Sequence, residues 1–335
     1  MEYFDLEKYD PSGMHKVYDR WSQIARESYN ENQNVVDFTD IDNIVFAGMG
    51  GSGAIGNFLS SILSNTNIHL SITKGYHLPK TVDSRTLVIT TSISGDTDET
   101  LSVLKSAQRT DCKIIAFSSG GKMESLCLKN SIEYRKIPMI HSPRASFTTY
   151  LYSMLKILES FIPVSKYDIE ESIQKMDDMC NKISSSNLTE SNPALSLAEW
   201  IDGIPLIYYP WGLESAAIRF KNSLQENSKI HAIAEDVVEA CHNGIVSWEI
   251  GSNVVPILLR GTDDYIKTKE RWEILKEYFD LAKISYKEIF SVEGSILSKL
   301  INLIYLLDYS TVYFSVKRQV NPSTIDSIRF VKERL

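Results

Sequence analysis

The chain has 335 residues, enough for two domains that each bury their own core. Its 43% hydrophobic and 23% charged residues give a globular composition, and no apolar run reaches the roughly 18 residues of a membrane span. A formal net charge of -8 excludes a broad electrostatic grip on nucleic acid, so any anionic ligand is small.

Cys112, Cys127, Cys180 and Cys241 have no CxxC pair and no metal-finger spacing, so reduced, packed thiols are expected, with no disulfide and no bound metal. The first ten residues carry Glu2, Asp5 and Glu7 instead of a basic segment leading into an apolar one. No secretory signal is visible there, and the expected location is the cytoplasm.

In chain order, an acidic, aromatic arm and a helix precede apolar runs at 43–47, 86–90 and 113–117, which read as buried parallel strands. Helical patterns at 54–63 and 99–108 separate them as crossovers, and 132–137 supplies a further strand. A long helix over 147–161 follows, then a polar helical linker region at 156–192. A second strand, loop and helix unit begins at Pro205-Leu206-Ile207-Tyr208-Tyr209 and continues through Pro210-Trp211-Gly212. Residues 43–47 with Gly50 and Ala54 echo 205–209 with Gly212 and Ala216, a weak internal duplication. Strands at 254–259 and 286–292 then alternate with helices at 267–282 and 295–314, and Pro322 is placed at the start of a terminal helix. The expected architecture is α/β: two doubly wound domains, 1–155 and 193–335, with parallel sheets flanked by helices.

Two loops carry chemistry. Gly48-Met49-Gly50-Gly51-Ser52-Gly53-Ala54 lies between a strand and a helix. Its glycines leave backbone N–H groups uncovered at a helix amino terminus, which favours an anion. As a dinucleotide fingerprint it lacks the acidic residue expected about 20 residues on. Ile68-His69-Leu70-Ser71-Ile72-Thr73-Lys74 offers His and Lys instead. The second loop, Thr91-Ser92-Ile93-Ser94-Gly95-Asp96-Thr97, again joins a strand to a helix. Ser92, Ser94 and Thr97 can converge on one phosphate as neutral donors. Alone, the first loop could be tight helix and strand packing, and the second a helix cap with spare hydroxyls. As a pair on adjacent parallel strands, they face one crevice.

This pair resembles a sugar isomerase (SIS) domain, whose second loop usually reads closer to SxSGxT. Ser142-Pro143-Arg144, Leu224-Gln225-Glu226-Asn227-Ser228-Lys229 and Cys241-His242-Asn243-Gly244-Ile245-Val246-Ser247-Trp248-Glu249 narrow the resemblance to the archaeal-type bifunctional phosphoglucose/phosphomannose isomerases. It spans nearly the whole chain. It implies two SIS-type domains, a homodimer, no cofactor, and metal-independent interconversion of glucose 6-phosphate and mannose 6-phosphate with fructose 6-phosphate through a cis-enediol. Gly50, Gly51, Ser52, Ser92, Ser94 and Thr97 then hold the substrate phosphate.

By the same resemblance, Glu226 matches the carboxylate that shuttles a proton between carbons 1 and 2, and His242 the ring-opening histidine. In related isomerases that histidine comes from the partner subunit, so the dimer completes the site. Arg144 matches the arginine that stabilises enediolate charge, and Lys332, or alternatively Lys317, the carboxyl-terminal active-site lysine. Thr324 matches the small hydroxyl residue that admits mannose. Two departures bear on the stretch around the histidine: Ala234-Glu235-Asp236-Val237-Val238 lacks the usual Pro-Glu pattern, and Gly244 stands where an acidic residue is common. A sugar-phosphate-sensing module without catalysis would keep the loops and dispense with Glu226, His242 and Arg144. A nicotinamide-dependent oxidoreductase is disfavoured by the absent acidic residue after Ile72.

Overall fold

The structure, a computed structural model, describes residues 1–335 and divides into two units. One comprises Trp21–Ile173. The other joins Met1–Arg20 to Gln174–Leu335, so the boundary falls inside the helix Lys166–Ile183. Chain order alone places the first twenty residues with the first domain; their contacts place them with the other unit. The Tyr305 hydroxyl donates to the Tyr18 carbonyl at 2.5 Å, and that of Tyr309 to Asp19 Oδ1 at 2.5 Å. No helix is long and apolar enough to cross a membrane.

The unit Trp21–Ile173 is built on a five-stranded parallel sheet of order β2-β1-β3-β4-β5. Its strands are β1 Asn43–Ala47, β2 His69–Thr73, β3 Thr86–Thr91, β4 Lys113–Ser118 and β5 Glu133–Lys136. Every residue of β3 is buried, as expected for a central strand covered on both faces, where an unbroken apolar run replaces alternation. On one face, Val45 and Val88 pack with Val103 and Ala107 of the helix Asp98–Ala107. The helix Trp21–Asn30 packs along Phe147–Ile157, where the Trp21 ring stacks near Phe147 and its Nε1–H reaches the Ala145 carbonyl at 3.0 Å.

The other unit holds a four-stranded parallel sheet of order β7-β6-β8-β9: β6 Ile204–Tyr209, β7 Ile233–Asp236, β8 Val254–Arg260 and β9 Lys287–Phe290. This repeats the order of the first four strands of the other sheet. One face carries Leu206, Tyr208 and Leu258 against Val237, Ala240, Trp248, Trp272 and Phe279. The helix Glu214–Ser228 contributes nothing to that cluster; it lies on the opposite face and packs along Ile296–Lys317. Parallel strands joined by right-handed crossovers require this split, because the order reverses at β6. In Ile296–Lys317, every residue from Leu297 to Val316 except Lys299 is buried. The terminal helix starts at Asp326, not at Pro322, which lies in the preceding turn, and none of its residues is buried.

Candidate active site

The loop after β1 enters the helix Gly50–Leu63 with Gly50 at φ 50°, in left-handed backbone that tolerates no side chain cheaply. The loop after β3 is tied to it: the Ile93 N–H donates to Ser52 Oγ at 3.3 Å. Ser92 is 1% exposed and acts inside its own loop. Its Oγ accepts from Gly95 N–H at 3.1 Å and from Thr97 N–H at 3.4 Å, and meets Thr97 Oγ1 at 2.8 Å. Ser94 and Thr97 are half-buried, which leaves their hydroxyls nearer the surface. Ser92 thus sets the shape that presents the others. Ser92→Ala is expected to raise the KM for a sugar phosphate about tenfold and to cost about 1–3 kcal/mol of stability, because the Thr97 N–H and hydroxyl lose their partner, while Gly95 N–H keeps its bond to the Ser92 carbonyl. Steady-state kinetics and urea unfolding check both.

Sequence reasoning missed a third loop. After β4, Ser119 donates through both Oγ (2.7 Å) and N–H (3.1 Å) to the Ile93 carbonyl, and Lys122 N–H reaches Asp96 Oδ1 at 2.9 Å. The signal was present in Ser118-Ser119-Gly120-Gly121, a hydroxyl and glycine run between strand and helix. Its closeness explains Gly95: at φ 79°, a Cβ there would stand 1.8 Å from the Gly120 carbonyl oxygen. Gly95→Ala is expected to abolish sugar-phosphate binding by prying the loops after β3 and β4 apart. Isothermal titration with a sugar phosphate checks this.

Arg144 joins the same group. A Cβ built on Gly51 would lie 3.4 Å from the Pro143 carbonyl oxygen and 3.6 Å from Arg144 Cα, so the turn bearing Arg144 runs against the glycine loop. The turn is held by Ser146 Oγ, which accepts from Ile140 N–H at 2.8 Å and donates to the Ser142 carbonyl at 2.8 Å. With Arg144 only 5% exposed, a permanent positive charge is fixed close to the anion loops. Four of the phosphate-loop residues read from sequence, Gly51, Ser52, Ser92 and Thr97, are thereby linked with the Arg144 turn by contact or hydrogen bond, with Gly50 adjacent in the chain and Ser94 bonded to Asp96 N–H inside its own loop.

The remaining candidates lie in the other unit. Glu226 occupies the last turn of Glu214–Ser228 and is half-buried. Its neighbours are clamped to the long helix: Asn227 Nδ2 donates to Thr311 Oγ1 at 2.8 Å, and Ser228 Oγ to the Thr311 carbonyl at 2.8 Å. Lys229 Nζ donates to the carbonyls of Glu226 and Asn321, both at 2.8 Å. This brings the turn that carries Thr324 beside the helix end, Thr324 Oγ1 donating to the Asn321 carbonyl at 3.2 Å. Of the two candidate lysines, Lys317 donates to the carbonyls of Glu199 (2.7 Å), Ala198 and Ile201 (both 3.4 Å), closing the carboxyl end of Pro193–Trp200. Lys332 is exposed on the terminal helix.

His242 is exposed and follows the short helix Val237–Ala240, capped by Asp236, which accepts from Val238 N–H (2.8 Å) and Glu239 N–H (3.1 Å). At Gly244, a Cβ would meet both Glu235 carboxylate oxygens at 2.8 Å. Glu235 therefore puts a carboxylate where a side chain at 244 would begin. Burial, then Glu239 and Asp236, push the Glu235 carboxyl up. Glu226 and His242 do not meet within the chain. Their elements pack against opposite faces of the β6–β9 sheet. The helix carrying Glu226 runs back to the amino edge before β7, and His242 follows the carboxyl end of that strand.

Residues 37–162 match the SIS domain family, and residues 190–335 match the bacterial phospho-glucose isomerase C-terminal SIS domain. A protein of Caldicellulosiruptor bescii named bifunctional phosphoglucose/phosphomannose isomerase is 32% identical, the match covering 95% of this chain and 97% of that protein. A Sulfolobus acidocaldarius protein named D-glucosamine-6-phosphate 4-epimerase is 28% identical over 73% of this chain and 77% of its own. Among solved structures, a hypothetical protein of Thermus thermophilus superposes with a TM-score of 0.73 at 15% identity, covering 96% of this chain and 89% of its own, and so shares the fold. On the strength of the near full-length match, the chain belongs to the bifunctional phosphoglucose/phosphomannose isomerase family.

Proposed function

We propose that this protein interconverts glucose 6-phosphate and mannose 6-phosphate with fructose 6-phosphate, without a metal, by proton transfer through a cis-enediol. The observation that carries the reading is the hydroxyl and glycine loops at the carboxyl ends of β1 and β3, knitted by Ser52 and Ser92 beside the Arg144 turn. They suit a small dianion: neutral donors and helix amino termini hold it, and the buried arginine adds the fixed charge.

The chemistry then falls to groups that can move one proton. His242 opens the sugar ring by shifting a proton between the ring oxygen and the carbon 1 hydroxyl. Glu226 removes the proton from carbon 2 of the aldose and returns it to carbon 1, and Arg144 stabilises the oxyanion that develops meanwhile. Lys332 adds a second positive charge, and Thr324 leaves space for the mannose epimer. Since Glu226 and His242 lie on opposite faces of one sheet, one substrate can meet both only if the histidine comes from a second copy of the chain. That geometry supports a homodimer whose site is completed across its interface; the cytoplasm is the proposed location.

The test is an assay of enzyme treated with a chelator, measuring fructose 6-phosphate formed from glucose 6-phosphate and from mannose 6-phosphate. Formation from both is expected. Binding without turnover would establish a sensing module instead, and inversion at carbon 4 of an amino-sugar phosphate would assign the chain to the chemistry named for its Sulfolobus relative.

A further inference from the structure

The second sheet repeats the strand order of the first, so it has its own crevice where that order reverses between β6 and β8. Open α/β sheets bind ligands at that place, outside the carboxyl ends of the strands. Here the crevice is a cavity of about 280 Å³, bounded by residues 210–213 after β6, residues 261–265 after β8, and Ser291 after β9. Its lining differs in kind from the loops after β1 and β3. Trp211 is 77% exposed and lines the cavity. Asp263 forms an ion pair with Lys299. Asp264 accepts from Gly261 N–H and Trp272 Nε1–H, both at 3.0 Å, and burial pushes its carboxyl up.

Two carboxylates and one ammonium leave the lining hostile to phosphate. Each of these ionic groups already holds a protein partner, so none calls for a charged ligand. Ser291 is different. It is 4% exposed, lines the cavity, and its Oγ has no hydrogen-bond partner. A buried hydroxyl left unpaired costs on the order of 1–3 kcal/mol, a deficit that a ligand hydroxyl removes. The volume lies just below the usual range for ligand pockets, which fits one sugar ring and not a longer saccharide.

We propose that this crevice binds an uncharged, polyhydroxylated molecule of monosaccharide size, its hydroxyls meeting Ser291 and the carboxylates of Asp263 and Asp264 and its C–H face lying on Trp211. The inference is independent of the isomerase reading, because it uses none of the residues assigned to that reaction.

The test titrates the full-length protein with D-glucose, which lacks the phosphate that the loops after β1 and β3 require, and follows binding by saturation-transfer NMR. Saturable binding is expected, weakened at least about tenfold by Trp211→Ala and by Ser291→Val and unchanged in Ser92→Ala. Trp211 is exposed, so its variant keeps the fold; Ser291→Val replaces the hydroxyl with one methyl group and adds a second on the same carbon. No saturable signal overturns the proposal. So does binding that survives both crevice variants, or binding lost in Ser92→Ala, which would place the sugar at the first sheet.

Discussion

Glu226→Gln is expected to bind glucose 6-phosphate with near-normal affinity while losing about 10²–10⁴-fold in turnover, the range for removing a general acid–base group. The amide keeps the size and polarity of the carboxylate but cannot take up the proton from carbon 2. On the proposed reading the phosphate contacts fall on the loops after β1 and β3, whose hydrogen bonds the change leaves alone. Asn227 and Ser228 keep their bonds to Thr311, so the helix end stays where it is. Exchange of the carbon 2 proton with solvent deuterium, followed by NMR, isolates the step: it should vanish in the variant while titration calorimetry still records binding. Full exchange would remove Glu226 from the reaction, and loss of binding would make it an anchor instead of a base.

The elements that could be read from the sequence are those whose environment is uniform along the chain. β1, β3 and β4 are covered on both faces by helices, so burial writes itself as an unbroken apolar run, and the loops that follow them announce themselves by glycine and hydroxyl content. β7 did not announce itself. It is a four-residue edge strand, Ile-Ala-Glu-Asp, with no buried position, and its place is fixed by pairing with β6, not by its own composition. The first twenty residues were misplaced for a related reason. Their partners Asp308, Tyr305 and Tyr309 lie nearly three hundred positions away, and no local pattern encodes such contacts. The resemblance points to Glu226 and His242, and the sheet order shows that the elements carrying them pack on opposite faces. The crevice by Trp211 left no mark in the sequence beyond the faint duplication, since Pro210-Trp211-Gly212 carries none of the hydroxyls that drew attention to the first sheet.

Asp308→Ala is expected to cost about 3–5 kcal/mol of stability, because it takes the carboxylate away from a buried guanidinium. Asp308 is fully buried inside Ile296–Lys317, and Arg219 lies against it at 3% side-chain exposure. Its Oδ2 accepts from Arg219 Nε at 2.9 Å, Nη2 at 2.6 Å and the Tyr18 hydroxyl at 3.2 Å, while Oδ1 accepts from Ser223 Oγ at 2.8 Å. Three elements thus meet on one carboxylate, including the helix that carries Glu226 in its last turn. Urea unfolding should show a lower midpoint at unchanged slope. The double change Asp308→Ala with Arg219→Met should recover a large part of the loss, because it replaces a stranded charge with apolar packing. Such recovery would separate the penalty of an unpaired buried charge from the intrinsic worth of the pair. Additive losses would mean instead that the bonds to Ser223 and Tyr18, which both variants lack, hold these elements together. Glu226 lies two helical turns beyond Arg219, so in that case turnover of the double variant should fall with its stability. If the charge pair is what matters, the double variant should stay active up to its own unfolding midpoint.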